Sequence, residues 1–384
     1  MTASSQPLAD LGIVGGGQLA RMTAERAAKL GLKTVVLDPS ADCAAGDLAT
    51  RHIEASFDDA DGLRELVETT RVTTFDIEAG DAAILRQLES EGGQIHPSPS
   101  VLATIQDKLV QRRFLAEHGL PVPRFEDLPN AAPEAFASFG YPLVQKARHG
   151  GYDGRGVAVL RSADDLDRAL TSPSMVEEQV AIARELAALV ARRPNGDSVV
   201  YDIVELFPDD ATHVLEALVF PAAMDEQTHR AAQDLGRAAI DALDGVGIFA
   251  VELFLDTNGK LWVNEISPRP HNAGHVTIEA AATCQFEQHL RAILDLPLGS
   301  TRAVSAAAMV NVLGPAGLDG NARVRELSPA LEVPGARLHL YGKTRSWPGR
   351  KLGHLTVLDP DPDTALERAR EARTRLEFVA KEVA

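Results

Sequence analysis

The chain has 384 residues, 45% of them hydrophobic and 24% charged, which is ordinary globular content and enough for two or three domains with their own cores. A formal net charge of −17 argues against nucleic-acid binding, so an anionic substrate would need a local cationic cluster. The two cysteines, Cys43 and Cys284, make neither a disulfide framework nor a metal site; MTASSQPLAD does not resemble a signal peptide; no apolar run could span a membrane. A soluble, cytoplasmic protein is expected.

In chain order, residues 11–14 read as a strand running into Gly15-Gly16-Gly17-Gln18, followed by a helix to about residue 30. Such a strand, glycine turn and helix can bind phosphate through backbone N–H groups and the helix dipole. A second strand at 34–37 ends in Asp38, about the ~20-residue offset at which a dinucleotide fold holds a ribose. A third, at 72–77, carries Asp76 and is followed by Glu78. Residues 106–118 read as a helix carrying Lys108, ended by Pro121 and Pro123. A strand at 141–146 ends on Lys146, and a loop with four glycines, residues 149–156, leads to a strand at 157–160. That loop could fold over a polyphosphate or be an ordinary long hairpin turn. Strands at 175–180, 184–190, 199–205 and 213–219 and a helix at 226–243 follow, an order that favours an antiparallel sheet backed by helices.

Residues 248–255 and 260–266 alternate in polarity around Asn258-Gly259, the dipeptide suited to a two-residue type I′ turn. That turn sets Glu252 directly opposite Glu265, with Cβ atoms roughly 4.5–5.5 Å apart. Facing carboxylates repel, so the pair needs a shared proton or a cation, and magnesium suits two carboxylates that share it with nucleotide phosphates. Ser267, Arg269, His271, Asn272 and His275 follow at once, a polar and cationic loop fitted to anions beside a metal. A helix at 277–296, strands at 306–313, 336–341 and 352–358 and a helix at 362–383 complete the chain. Lys343, Arg345, Arg350, Lys351 and His354 cluster within twelve residues and could hold a phosphate monoester or be a solvated face.

Together GGGQLARM, QDKLVQRRFL, GGYDGRG, EEQV with REL, VELF, NEISPRPHNAGH, CQFEQHLRAIL and YGKTRSWPGRKLGH resemble, in order, the ATP-grasp superfamily and within it the 5-(carboxyamino)imidazole ribonucleotide synthases. The resemblance implies an α/β and α+β fold: an N-terminal glycine-loop α/β domain (1–104), an ATP-grasp domain (105–300) and a small C-terminal β domain with a terminal helix (301–384). It implies ATP- and bicarbonate-dependent carboxylation of aminoimidazole ribonucleotide through carboxyphosphate in purine biosynthesis, by a magnesium-dependent homodimer.

By matching position, Lys108 and Lys146 would bind ATP phosphates beneath a loop including Gly151, Asp153 and Gly154. Glu177, Glu178 and Val180 would frame adenine, Glu185 would hold the ribose, and Asn264 would join Glu265 at the nucleotide. Glu252 and Glu265 would ligate magnesium. Gln18, Glu78, Tyr152, Asp153, Arg155, Asn272, Lys343, Arg350 and Lys351 would bind the ribonucleotide, and Arg269 and His271, with Lys146, would act on bicarbonate and carboxyphosphate. The chain departs from the family pattern at Asp76, where glutamate is usual, at Ala79, where asparagine is usual, and at Ser267, where many ATP-grasp enzymes have asparagine. Alternatives are another ATP-grasp ligase, such as one joining formate to glycinamide ribonucleotide, a nicotinamide oxidoreductase resting on the Gly15 turn and Asp38, and a non-catalytic nucleotide sensor.

Overall fold

The computed structural model describes residues 7–130, 132–151, 156–209 and 214–380. The N-terminal strands form a parallel sheet in the order Arg51–Ile53, Thr34–Leu37, Ala9–Val14, Thr70–Phe75. Both of its faces are covered, which is why these strands read as nearly continuous apolar runs. Leu11 and Ile13 pack against Ala20 and Ala27 of the helix Gln18–Lys29, while Val14 and Leu37 pack with Leu63 and Leu66 of the helix Ala60–Thr69.

A small antiparallel sheet follows, ordered Phe125–Leu128, Ser174–Glu178, Leu143–Ala147, Val157–Leu160. The largest sheet is antiparallel and begins at its edge with Leu261–Ser267, then Gly247–Asp256, Ile182–Arg192, Val204–Pro208 and Leu215–Phe220. The C-terminal strands Ala307–Leu313, Lys351–Leu358 and Ala336–Leu340 extend this same sheet rather than building one of their own. Along Ile182–Arg192, Leu186, Ala188 and Val190 enter one core with the helix Glu226–Leu243, and Ala187, Leu189 and Ala191 enter another on the opposite face. Among the described residues, no helix is long and apolar enough to cross a membrane.

Most expected elements lie within a few residues of their positions, and three differ for local reasons. The helix expected at 106–118 is Lys108–Glu117, and a further helix, Pro99–Gln106, meets it at Asp107, whose carboxylate caps Lys108–Glu117 through Leu109 N (2.9 Å) and is held by Arg148 at 2.5 Å. The one at 277–296 breaks into Thr277–Ala280 and Gln285–Ile293, because Ala281 is extended and bridges Ala303. The strand expected at 199–205 is split into Ser198–Val200 and Val204–Pro208 by buried Tyr201, whose hydroxyl donates to the Thr283 carbonyl at 2.8 Å. The last helix stops at Thr374, and Phe378–Ala380 pairs with Gly320–Val324.

The glycine turn is the larger correction. Gly15 adopts φ +97°, as a tight strand-to-helix turn requires. Three of the N–H groups beyond it, however, are already bonded within the chain. Gly16 N donates to Asp38 Oδ2 (2.7 Å), Gly17 N to Asp76 Oδ2 (2.8 Å) and Ala20 N to Asp76 Oδ1 (2.7 Å). Asp76 therefore supplies the anion that the helix N-terminus favours, and Asp38 braces the turn instead of facing a ribose. A Cβ on Gly17 would collide with the Asp76 carboxylate, so the shorter side chain at position 76 lies in contact with the turn. Asp76→Ala leaves two helix-start N–H groups without their acceptor and is expected to lower the stability of the N-terminal domain by about 1–2 kcal/mol. Denaturant titration checks this, and an unchanged midpoint would remove Asp76 as the cap.

Candidate active site

The site is built on the hairpin Gly247–Asp256 and Leu261–Ser267. Its turn is not the two-residue form. Asp256 N donates to Lys260 O (2.9 Å) and Gly259 N to Asp256 O (3.0 Å), so the loop is Thr257-Asn258-Gly259, with the positive φ (+81°) at Gly259 and not at Asn258. The Asp256 carboxylate fixes this loop by accepting from Asn258 N, Lys260 N and Trp262 Nε1. The extra loop residue displaces the register by one, and a β-bulge between the Leu253–Val263 and Glu252–Glu265 pairs restores it. Glu252 does face Glu265, through two departures that cancel. The bulge also aims side chains: Val263 and Ile266 enter the same core, so the two residues between them, Asn264 and Glu265, both face the site.

Cations converge on these residues from three parts of the chain. Lys108 Nζ, at the start of its helix, pairs with Glu265. Lys146 Nζ donates to Asn264 Oδ1 at 2.9 Å and pairs with Glu177 Oε2 at 2.8 Å. Asn264 Nδ2 in turn donates to Glu252 Oε2 at 3.3 Å. His271 Nε2 lies 3.6 Å from Glu252 Oε1, and its Nδ1 accepts from Ala273 N, which puts the proton of the neutral ring on Nε2. Arg269 Nε stands 3.2 Å from Glu78 Oε1.

Burial, reinforced by the charges of Glu265 and Glu185, pushes the Glu252 carboxyl above its ordinary range. Burial also opposes ionisation of Glu265, but the Lys108 ammonium, helped by Lys146 and His271, outweighs it and holds that carboxyl down. Lys146 is pushed down by burial and by the nearby Arg112 and Lys108 charges, with Glu177 opposing. Burial and like charge thus disfavour the charged form of one glutamate while ammonium groups favour it on the other, an asymmetry that a bound cation would relieve.

The bulge is clamped from outside by Arg112, a residue absent from the sequence-based site. Its guanidinium donates to the carbonyls of Val263 (2.6 Å) and Asn264 (2.8 Å) and pairs with buried Glu177 at 2.5 Å. Gln111 Oε1 accepts from Ile266 N at 2.9 Å. The signal was present in the spacing: Lys108, Gln111 and Arg112 recur at i, i+3 and i+4, one face of one helix.

Other expected residues divide. Glu177 is buried between Arg112 and Lys146, so its carboxylate supports the site from behind rather than framing a base. Glu178 reaches Arg124 at 3.8 Å, and the Val180 carbonyl accepts from Ile182 N. Glu185, on Ile182–Arg192, lies near enough to Glu252 to raise it. Lys343 Nζ donates to Gln18 Oε1 at 2.7 Å and to the Lys351 carbonyl at 2.9 Å, which brings the tail cluster onto the first helix. Arg350 stacks on Trp347 at 3.9 Å.

Several of the polar residues turn inward. Asn272 exchanges both amide hydrogen bonds with Asn311 (3.0 and 2.9 Å), so it is committed to the core rather than open to substrate. Ser267 and His275 are also buried, and His354 stacks on His339 inside the fold instead of joining a phosphate cluster. It lies on a central strand, Lys351–Leu358, whose residues 352–357 are buried on both faces. Gly151 is described, at the mouth of the glycine loop, whereas Tyr152, Asp153, Gly154 and Arg155 lie outside the described residues.

Fold and site together define an ATP-grasp ligase. Residues 8–106 match the ribonucleotide synthetase preATP-grasp domain, 113–286 the ATP-grasp domain, and 307–368 the phosphoribosylaminoimidazole carboxylase C-terminal domain. The chain is 40% identical to the N5-carboxyaminoimidazole ribonucleotide synthase of Synechococcus elongatus, over 96% of this chain and 94% of that one. It is 43% identical to the same enzyme of Mycobacterium bovis, over 93% and 85%. The synthetase crystal structure from Thermotoga maritima superposes with a TM-score of 0.90 at 43% identity, covering 97% of this chain and all of that one. The Aspergillus clavatus synthase in complex with ADP and 5-aminoimidazole ribonucleotide superposes with a TM-score of 0.86 at 32% identity, covering 96% and 98%. The chain belongs to the N5-carboxyaminoimidazole ribonucleotide synthase family, the same family that the sequence motifs resemble under its other name.

Arg112→Met retains the aliphatic stem but leaves buried Glu177 with one cation fewer and frees the bulge carbonyls. It is expected to lower the unfolding free energy by about 3–5 kcal/mol, measured by denaturant titration. A loss below about 1 kcal/mol would mean that the bulge holds without its clamp.

Proposed function

We propose that the chain carboxylates the exocyclic amine of 5-aminoimidazole ribonucleotide with ATP and bicarbonate, through carboxyphosphate, in purine biosynthesis. The observation that carries the reading is the Glu252–Glu265 pair ringed by Lys108, Lys146 and His271, with Arg269 adjoining on the same loop. Two opposed carboxylates, one of them raised, are an all-oxygen donor set that fits magnesium, to be completed by nucleotide phosphates and water. Glu252 and Glu265 would hold that ion, which would supply positive charge to neutralise the nucleotide phosphates.

A bicarbonate oxygen attacks the γ-phosphorus, the new P–O bond forms as the bond to the β-phosphate oxygen breaks, and ADP leaves. Lys108 and Lys146 neutralise the phosphates, and Arg269 steadies the developing charge on the attacking side. The ribonucleotide amine then attacks the carboxyl carbon of carboxyphosphate, or the carbon dioxide it releases, with loss of phosphate and of an amine proton. Carboxyphosphate is short-lived in water, so excluding solvent is part of the work, and we assign the glycine loop at residues 149–156 to it. His271 orients the carboxyl donor beside Glu252. Gln18, Glu78, Lys343, Arg350 and Lys351 hold the ribonucleotide, and Glu185 and the segment near Val180 hold the nucleoside of ATP.

In this reading the chain divides into residues 1–104, 105–300 and 301–384, works in the cytoplasm and pairs as a homodimer. Sedimentation or light scattering tests the dimer. The function itself is tested by phosphate release with ATP, bicarbonate and 5-aminoimidazole ribonucleotide, each omitted in turn, together with Glu265→Gln. Full release should require all three, and Glu265→Gln should abolish it without unfolding the protein. Release that ignores bicarbonate or the ribonucleotide, or a Glu265→Gln rate within tenfold of the wild type, would overturn the assignment.

The tail cluster generates a separate expectation in the same assay. Arg350 contributes a charge-assisted contact of about 1.5–3 kcal/mol to the ribonucleotide phosphate. Arg350→Ala should therefore raise the KM for the ribonucleotide by roughly tenfold or more and leave the KM for ATP nearly unchanged. The reverse pattern would assign the cluster to the wrong phosphate.

A further inference from the structure

The motif CQFEQHLRAIL contributes to the family resemblance, and its first glutamine makes a set of contacts that no step above uses. Gln285 is fully buried at the start of the helix Gln285–Ile293. Its Oε1 accepts from His271 N at 2.9 Å, and its Nε2 donates to His271 O at 2.8 Å. The second Nε2 proton goes to His275 Nδ1 at 3.0 Å. A backbone N–H can only donate and a carbonyl can only accept, so the orientation of this amide is fixed by chemistry. The Gln285 backbone N–H is itself tied to Thr277 Oγ1 at 2.9 Å, and a Cβ on Gly274 would collide with the Gln285 amide, so the loop closes tightly around it.

We infer that Gln285 is a positioning residue for the carboxyl-transfer half of the reaction: it replaces a strand partner for His271, fixing that backbone in both directions. The side chain of His271 can then meet Glu252 on one side and the carboxyl donor on the other. Two amide hydrogen bonds to one residue constrain both position and rotation, whereas one would leave the residue free to swing. The second tie, to His275, anchors the far end of the same turn in the core, where His275 packs on His354 at 4.8 Å between ring centres. An error of about 1 Å in a group that must meet a short-lived intermediate can cost on the order of a hundredfold in rate. The inference rests on the reading of His271 as a group that contacts the carboxyl donor.

The test is a double-mutant cycle on the whole enzyme, with Gln285→Leu, His271→Gln and the pair, read as kcat and KM for ribonucleotide-dependent phosphate release and as nucleotide binding by ADP titration. Gln285→Leu is expected to lower kcat by about tenfold or more, with ADP affinity and the KM for ATP within about threefold of the wild type. The double variant should be no slower than the slower single variant, because one residue acts through the other. A purely structural role would lower the yield or melting temperature and leave kcat per folded enzyme unchanged, and that result overturns the inference. Losses that multiply in the double variant also overturn it. If His271→Gln is itself without effect, the reading of His271 falls and this inference with it; if His271→Gln is slow and Gln285→Leu is not, this inference alone falls. Should Gln285→Leu not fold, Gln285→Met keeps the approximate volume while losing both donors and the acceptor, and the same loss in kcat is expected of it.

Discussion

Two carboxylates held face to face on neighbouring strands are the constraint around which the molecule is arranged. Left alone, Glu252 and Glu265 would repel and splay the hairpin edge. They persist because Lys108 and Lys146 are brought to them from a helix and a second sheet far away in sequence, and His271 from the loop that directly follows the hairpin. The β-bulge decides which side chains take part. With regular pairing, Asn264 and Glu265 would point to opposite faces, and either the Lys146 contact or the Lys108 contact would be lost. The bulge is in turn possible because Leu261–Ser267 is an edge strand, whose outward carbonyls can be taken by Arg112 instead of by another strand.

Such a cluster stabilises the fold only weakly, since each buried ion has lost its hydration, and what it secures is geometry. Arg112 and Lys146 outweigh the burial of Glu177 and keep it ionised. Glu177 thereby anchors the lysine beside Asn264. The surrounding cores resist rearrangement: the strand carrying Glu252 is packed on both faces by apolar residues from Ile248 to Val251, and Leu253 returns to the core beyond Glu252. Rigid strands deliver the carboxylates and Lys146, and a helix and a loop deliver Lys108 and His271.

Much of this was legible in the sequence, and the failures have physical causes. Period-two alternation gave the strands, and Glu252 opposite Glu265 followed from the hairpin, although the true loop is one residue longer and the bulge compensates for it. The glycine turn reads as a phosphate site because its N–H groups have no partner nearby in sequence. The carboxylates that occupy them, Asp38 and Asp76, lie 22 and 59 residues further along the chain. Asn272, His275 and His354 misled in the same way, since a polar residue type says nothing about whether a tertiary partner such as Asn311 or Gln285 has buried it. Arg112 was overlooked for the opposite reason. A charged residue on an amphipathic helix is usually solvated, and only the edge of a sheet laid against that helix makes this one structural.

The same distribution of partners bears on how the two halves of the chemistry are kept together. Gln18 and Lys343 meet across 325 residues of sequence, and Thr344 reaches Asp42 at 3.0 Å, so the C-terminal segment closes on the N-terminal domain. That segment is also the continuation of the sheet that carries Glu252, through Ala307–Leu313 paired with Leu215–Phe220. The surface assigned to the ribonucleotide and the surface assigned to the nucleotide are therefore parts of one hydrogen-bonded framework rather than two modules joined by a linker. Arg269 and Glu78 span the remaining gap, one from the loop after the hairpin and the other from the loop after the last parallel strand. A strongly acidic chain sets Lys108, Lys146, Arg269 and His271 together at this junction, where a phosphate, a carboxyl group and a second phosphate would lie in sequence.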